Sequence, residues 1–109
     1  MKTHRIHIAE DFSPTPGARY RSDGPDSGQQ FREEKLIPLL KSDGHDIRII
    51  VVLDGVYGFA TSFLEEAFGG LAREIGVEEC LRIIEIVSDD DPQLVDEVDA
   101  YIRDARLET

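Results

Sequence analysis

Cysteine, methionine and tryptophan are nearly missing from this chain: one, one and none in 109 residues. With Cys80 alone, an internal disulfide and a cysteine-based zinc site are both excluded. Cys80 reads as a small buried apolar residue rather than a reactive thiol. Long apolar runs are missing as well. The longest, Ile47 to Leu53, is interrupted by Arg48 and is far too short to span a membrane. No such run follows Met1-Lys2-Thr3-His4-Arg5 either, so a secretory leader is not expected and the expected compartment is the cytoplasm. Basic residues are scarce: 12 Lys and Arg stand against 23 Asp and Glu, a formal charge of −11. A net anion without a Lys/Arg run is repelled by polyanions, which argues against nucleic acid and anionic membranes as partners and favours a basic protein surface.

What is present suits a single domain over 1–109, with 40% hydrophobic and 32% charged residues. Arg5-Ile6-His7-Ile8 alternates like a first strand. Residues 9–27, rich in Pro, Gly, Ser and Asp, leave room for one short strand at Ala18-Arg19-Tyr20-Arg21, which could pair back on the first. Ser27-Gly28-Gln29-Gln30 matches a capping box and predicts a helix through Phe31, Leu36, Leu39 and Leu40, kinked or ended early by Pro38. Ile47–Leu53 reads as a central strand covered on both faces. Ser62-Phe63-Leu64-Glu65 is a second capping box, opening a helix that Gly76 stops. Leu81–Val87 reads as the next strand, and Asp91-Pro92 as cap and first turn of a last helix ending near Arg103 and Arg106. The expected architecture is α/β: a mixed four-stranded sheet with about three helices, its strand–helix–strand units parallel and right-handed.

The segment Val52-Leu53-Asp54-Gly55-Val56-Tyr57-Gly58-Phe59-Ala60-Thr61-Ser62-Phe63-Leu64 resembles a STAS domain, the fold of bacterial anti-anti-sigma factors. A fuller match, to the prokaryotic STAS-like family of unknown function, is carried by 17–25, by Ser27-Gly28-Gln29-Gln30-Phe31-Arg32 and by Ser62-Phe63-Leu64-Glu65-Glu66-Ala67-Phe68-Gly69-Gly70-Leu71. The resemblance implies a regulatory module acting on a protein partner, typically a histidine-kinase-like ATPase, under control of phosphorylation. This chain departs from the pattern at one point. Phosphorylated STAS serines are generally followed by Gly, whereas Ser62 is followed by the bulky Phe63.

Ser62 and, less so, Thr61 are the phosphoacceptor candidates, because orphan amides at a helix start accept a phosphate. The competing reading makes Ser62 only an N-cap, worth about 1 kcal/mol. Glu65 and Glu66 favour the cap, since they would repel a phosphate carrying about −2 charge. The partner- or ligand-binding candidates are Arg19, Tyr20, Arg21, Ser22, Asp23 and Gly24 in the long irregular segment, together with Glu65, Glu66, Gly69 and Gly70. Arg19 and Arg21 suit bidentate recognition of a carboxylate or phosphate, or else pair with acidic residues of their own chain. Gly69-Gly70 marks either close helix packing or a flat patch where a partner reaches the backbone.

Enzymatic chemistry has weak support. No nucleophile stands beside His4, His7 or His45, and no Gly-rich Lys-Ser/Thr phosphate loop occurs. Catalytic residues, metal ligands and cofactors are therefore not assigned. A magnesium-dependent phosphoryl site at Asp54 and Asp89 is the weakest reading, against solvated turns. Two classes remain in play: a regulatory interaction module, and a sensor of an anionic ligand or nucleotide using Arg19–Pro25.

Overall fold

The computed structural model describes residues 1–105. Arg106, expected at the end of the last helix, lies outside the described residues. Three strands, β1 (Lys2–His7), β2 (Ile47–Val52) and β3 (Ile84–Val87), form one parallel sheet in the order β1-β2-β3. Ile6 faces Val51 and Ile49 faces Ile84 in its register. The architecture is thus α/β as expected, but among the described residues the sheet is three-stranded and wholly parallel, and the helices exceed the three expected.

The anticipated strand around Arg19–Arg21 does not form. That stretch is irregular backbone leading into a single 3-10 turn, Arg21–Asp23. Its amides and carbonyls go elsewhere: Gly17 N donates to Asp26 O at 2.7 Å, and Gly28 N and Gln29 N donate to Ala18 O and Arg19 O at 2.9 and 3.0 Å. The segment is clipped onto the start of a helix instead of a sheet edge, which satisfies the same backbone groups. A short π-turn, Ile8–Phe12, follows β1.

Helix α1 spans residues 28–43, as Gly28–Phe31, a wide turn Arg32–Leu36, and Ile37–Asp43. Ser27 caps it as predicted, its Oγ accepting from Gln30 N at 3.0 Å. Gln30 reaches back one residue further than a capping box requires, Oε1 accepting from Asp26 N at 3.0 Å. Pro38 neither ends nor interrupts the helix. The turn before it widens so that Ile37 N donates to Arg32 O, five residues back, and the proline's missing donor is absorbed there.

Helix α2 spans residues 61–75, again with a wide turn, Glu65–Gly69, between Thr61–Leu64 and Gly70–Ile75. Gly76 stops it at φ 101, though with ψ 148 rather than a left-handed helical value. Helix α3 (Val77–Ile83) then occupies residues expected to begin a strand. Val77, Cys80 and Ile83 are buried at three-residue spacing, a helical period that runs on into the stretch Leu81–Val87, whose first residues also fit a strand. β3 is correspondingly short. Helix α4 (Gln93–Asp104) is preceded by Pro92, and no side-chain cap closes it, contrary to the role expected of Asp91.

Ile47, Ile49 and Val51 are fully buried, while Arg48 and Ile50 on the opposite face are only half covered. Against the buried face lie Phe31 and Leu36 of α1 and Phe63, Leu64, Phe68 and Leu71 of α2, all essentially without exposure. Phe31 sits at the centre of this cluster, 6.0 Å from Phe63 and 6.1 Å from Phe68 between ring centroids. Helix α4 packs on the middle of α2, and α3 packs on β2 and β3.

Candidate functional site

The parallel sheet places the ends of β2 and β3 side by side, and the loops that follow them are tied together. Asp54 Oδ1 accepts from Asp90 N at 2.8 Å, and Asp90 Oδ2 accepts from Gly55 N at 3.2 Å. Tyr57 N donates to Pro14 O at 3.1 Å, pinning the same loop to the segment after the first π-turn. Asp54 therefore meets Asp90 rather than Asp89, and both carboxylates serve backbone amides. Among the described residues no group of three or more His, Cys, Asp or Glu side chains could hold a metal ion. The pinned loop leads into α2 through Phe59, whose ring lies 5.7 Å from that of Phe63.

At this entrance the capping reading of Ser62 is overturned. The helix begins at Thr61, so the cap position falls on Ala60, which has no polar side chain to offer. Phe63 N and Leu64 N are met by the Ala60 carbonyl at 3.0 and 3.4 Å. Ser62 is the second helical residue, half-exposed, and Thr61 is exposed. Phe63 is fully buried, so its bulk points into the core instead of standing over Ser62.

The glutamates that were expected to repel a phosphate are neutralised. Glu65 accepts from Arg19 Nη1 through Oε1 and from Arg73 Nη1 through Oε2, the latter at 2.7 Å. Glu66 accepts from Arg32 Nη1 at 2.7 Å, and the same nitrogen donates to the Glu66 carbonyl at 2.6 Å. Arg32 Nε reaches Glu74 at 2.9 Å. Burial alone would push the Glu65 carboxyl up, but hydrogen bonds from Arg73 and Arg19 outweigh it and hold the group below its ordinary value. Glu65 therefore contributes stability above the usual carboxylate range, which is lost as pH falls through its lowered pKa. The Arg19 guanidinium is raised, chiefly by its hydrogen bond to Glu65.

Glutamates of α1 and α2 engage the arginines of the irregular segment. Arg19 is held by Glu65, with Glu66 at 3.7 Å. Arg21 is held by Glu33 at 2.9 Å and by Glu34 at 3.4 Å. Both guanidinium groups face carboxylates of their own chain. Tyr20 is exposed beside Arg19, whose guanidinium carbon lies 6.0 Å from the ring centroid. Asp23 closes the turn by accepting from Tyr20 N at 3.0 Å, Gly24 follows at φ 139, and Ser22 is exposed. Gly69 and Gly70 are buried packing positions, not an open patch. A Cβ on Gly70 would collide with the Arg32 guanidinium, and one on Gly69 would lie 3.2 Å from the Tyr101 carbonyl where α4 crosses. Sequence reasoning missed Arg32, Arg73 and Glu74 in this network; only the density of Arg and Glu in the two helices hinted at it.

The histidines and the thiol stand apart. His4 pairs with Asp43 at 2.6 Å and His45 with Glu79 at 2.9 Å. Burial pushes the Cys80 thiol up to about 12, so it is unreactive in the folded protein.

No curated protein and no solved structure matches the chain. No helix among the described residues is long and apolar enough to cross a membrane. A family model, the STAS-like domain of unknown function (DUF4325), matches residues 27–94, from the cap of α1 through β2, α2 and β3 to the first turn of α4, and the chain belongs to that family.

Proposed function

We propose that the chain is a regulatory protein-interaction module without catalysis of its own, which meets its partner at the edge formed by the loop 53–60 and the first turn of α2. The observation that carries this reading is the contrast at that edge. The loop is pinned by hydrogen bonds from both sides, yet Tyr57 on it is 89% exposed and Thr61 beside it is accessible. A rigid loop presenting an aromatic ring is suited to docking, because little ordering entropy remains to be lost. The resemblance to STAS domains of anti-anti-sigma factors suggests a partner of the histidine-kinase-like ATPase type, and with it a switch by phosphorylation at Ser62 or Thr61. Ser62 has become a better candidate than its sequence context implied, since Arg19, Arg32 and Arg73 compensate Glu65 and Glu66. The sensor alternative draws on a cavity of about 280 Å³ lined by Arg19, Tyr20, Glu65, Glu66 and Arg73, and is weaker because the two arginines it needs, Arg19 and Arg21, are both engaged by glutamates.

The test is calorimetric titration of the intact protein against the histidine-kinase-like ATPases of the same organism, with wild type, Thr61→Asp and Ser62→Asp. One ATPase is expected to bind wild type, and Ser62→Asp is expected to weaken that complex about tenfold or more by placing charge in the contact. Binding that is indifferent to both substitutions would move the contact away from α2. Failure of every such ATPase to bind would remove the assigned partner class.

A further inference from the structure

At the C-terminal ends of β2 and β3 the tied loops enclose a cleft of about 220 Å³. Val56, Phe59 and Leu94 give it an apolar wall, and Tyr57 stands at it almost fully exposed. Its polar side is acidic: Asp90 and Asp91 line it, and no Lys or Arg does. The two carboxylates are not equivalent. Asp90 keeps one oxygen on Gly55 N, whereas the Asp91 carboxylate, among the described residues, accepts no hydrogen bond and joins no ion pair. Asp91 is held in place through its backbone instead, its carbonyl accepting from Ser88 Oγ at 2.7 Å and from Leu94 N at 3.0 Å.

We propose that this cleft receives an arginine side chain of a basic protein partner, its guanidinium stacked on Tyr57 and paired with Asp91. The inference rests on the interaction-module reading and names what the partner brings. The volume is below the roughly 300–1,000 Å³ of pockets for small molecules, and suits one long side chain entering from a larger body. An aromatic face beside a free carboxylate favours a cation, and a planar one best, because a guanidinium stacks on a ring while its edge meets a carboxylate. The chain's charge of −11 draws basic surfaces to it before contact.

The experiment is an amide ¹H–¹⁵N titration of the full chain with acetyl-Gly-Arg-Gly-amide, beside the peptides carrying citrulline or lysine at the central position and beside free agmatine. Saturable shifts are expected in residues 53–59 and 88–94 with the arginine peptide, with affinity at least about threefold weaker for citrulline, which keeps the shape and loses the charge. Tyr57→Ala and Asp91→Asn are each expected to weaken arginine binding about three- to fivefold with an unchanged melting temperature. No saturable shift in those segments at millimolar peptide would overturn the proposal, as would equal binding of citrulline or undiminished binding by both variants. Equal binding of the lysine peptide would overturn the choice of arginine, and tighter binding of agmatine than of the peptide would overturn the protein partner in favour of a small amine. The titration needs no ATPase. A silent cleft therefore leaves the module reading standing, and failure of the ATPase titration leaves the cleft untouched.

Discussion

The seam between α1 and α2 and the edge around the loop 53–60 are built from the same kinds of residue and use them in opposite ways. At the seam, aromatic rings are fully enclosed and charges are matched in place: Arg32 and Glu66 are about nine-tenths buried and lie 2.7 Å apart. At the edge, Tyr57 is 89% exposed and Asp89, Asp90 and Asp91 all face solvent. Arginine and glutamate in the seam serve the fold. Replacing Arg32 alone would leave the buried Glu66 carboxylate with only the longer contacts from Arg73 and Arg19, at 3.5 and 3.7 Å, so losing one partner costs more than the pair contributes net. Asp54 and Asp90 tie the edge loops together, whereas the Tyr57 ring and the Asp91 carboxylate contribute little to the fold and are available for something else. The seam explains how the chain folds, and the edge is where its function is to be sought.

The aromatic residues give the largest expected difference. Phe68→Ala, in the middle of the core cluster, is expected to lower stability by roughly 3–5 kcal/mol, whereas Tyr57→Ala should stay within about 0.5 kcal/mol. Urea unfolding of the two variants beside wild type measures both. Comparable losses would erase the distinction between seam and edge.

The seam was far more legible in the sequence than the edge. Phe63, Leu64, Ala67, Phe68, Leu71, Ala72 and Ile75 stand at helical spacing, and all are buried except Ile75, which is half-buried. Ser27 was recognisable as a cap because its side chain and that of Gln30 act locally. What misled the reading were choices that only tertiary contacts decide. Leu81–Val87 is apolar enough for strand or helix, and packing on β2 and β3 turns its first part into α3. Arg19–Arg21 has the composition of a short strand, yet its backbone is captured by α1 before it can pair with β1. Ser62 matches a capping box two residues too late, since chain direction out of the loop starts the helix at Thr61 with Ala60 at the cap. At the candidate site, Asp54 was correctly placed near the acidic run, but which aspartate it meets depends on loop geometry that no local rule encodes.

Glycine sharpens the same contrast at smaller magnitude. A Cβ on Gly28 would collide with the Phe63 carbonyl oxygen, a backbone atom that cannot swing aside, whereas a Cβ on Gly58 would meet nothing within 4 Å. Gly58 also lies outside the positive-φ region. Gly28→Ala is therefore expected to destabilise by about 1–3 kcal/mol through overpacking of α1 on α2. Gly58→Ala should be neutral or gain about 0.4–1 kcal/mol by restricting the unfolded chain. Thermal melts of the pair suffice, and a stabilised Gly28→Ala would show that the two helices are free to shift apart.

The two serines provide the finest test, because by sequence they look alike: each precedes a Gln or Glu by three residues and opens a helix. Ser27 is fully buried, and its Oγ is the partner of Gln30 N. Removing it takes the side-chain acceptor from the Gln30 amide at the start of α1, so Ser27→Ala should lower stability by about 1 kcal/mol, and up to about 2. Ser62 is half-exposed and one residue inside α2, whose first amides are already met by the Ala60 carbonyl. Ala has the better helix propensity there, so Ser62→Ala should stay within about 0.5 kcal/mol of wild type in either direction. Parallel urea titrations resolve a gap of this size if both variants keep the wild-type denaturant slope. Equal losses would return Ser62 to a capping role and weaken its claim to be a regulated hydroxyl. A loss at Ser27 alone would leave the Ser62 hydroxyl without a structural task, which is the condition a modification site at the head of α2 requires.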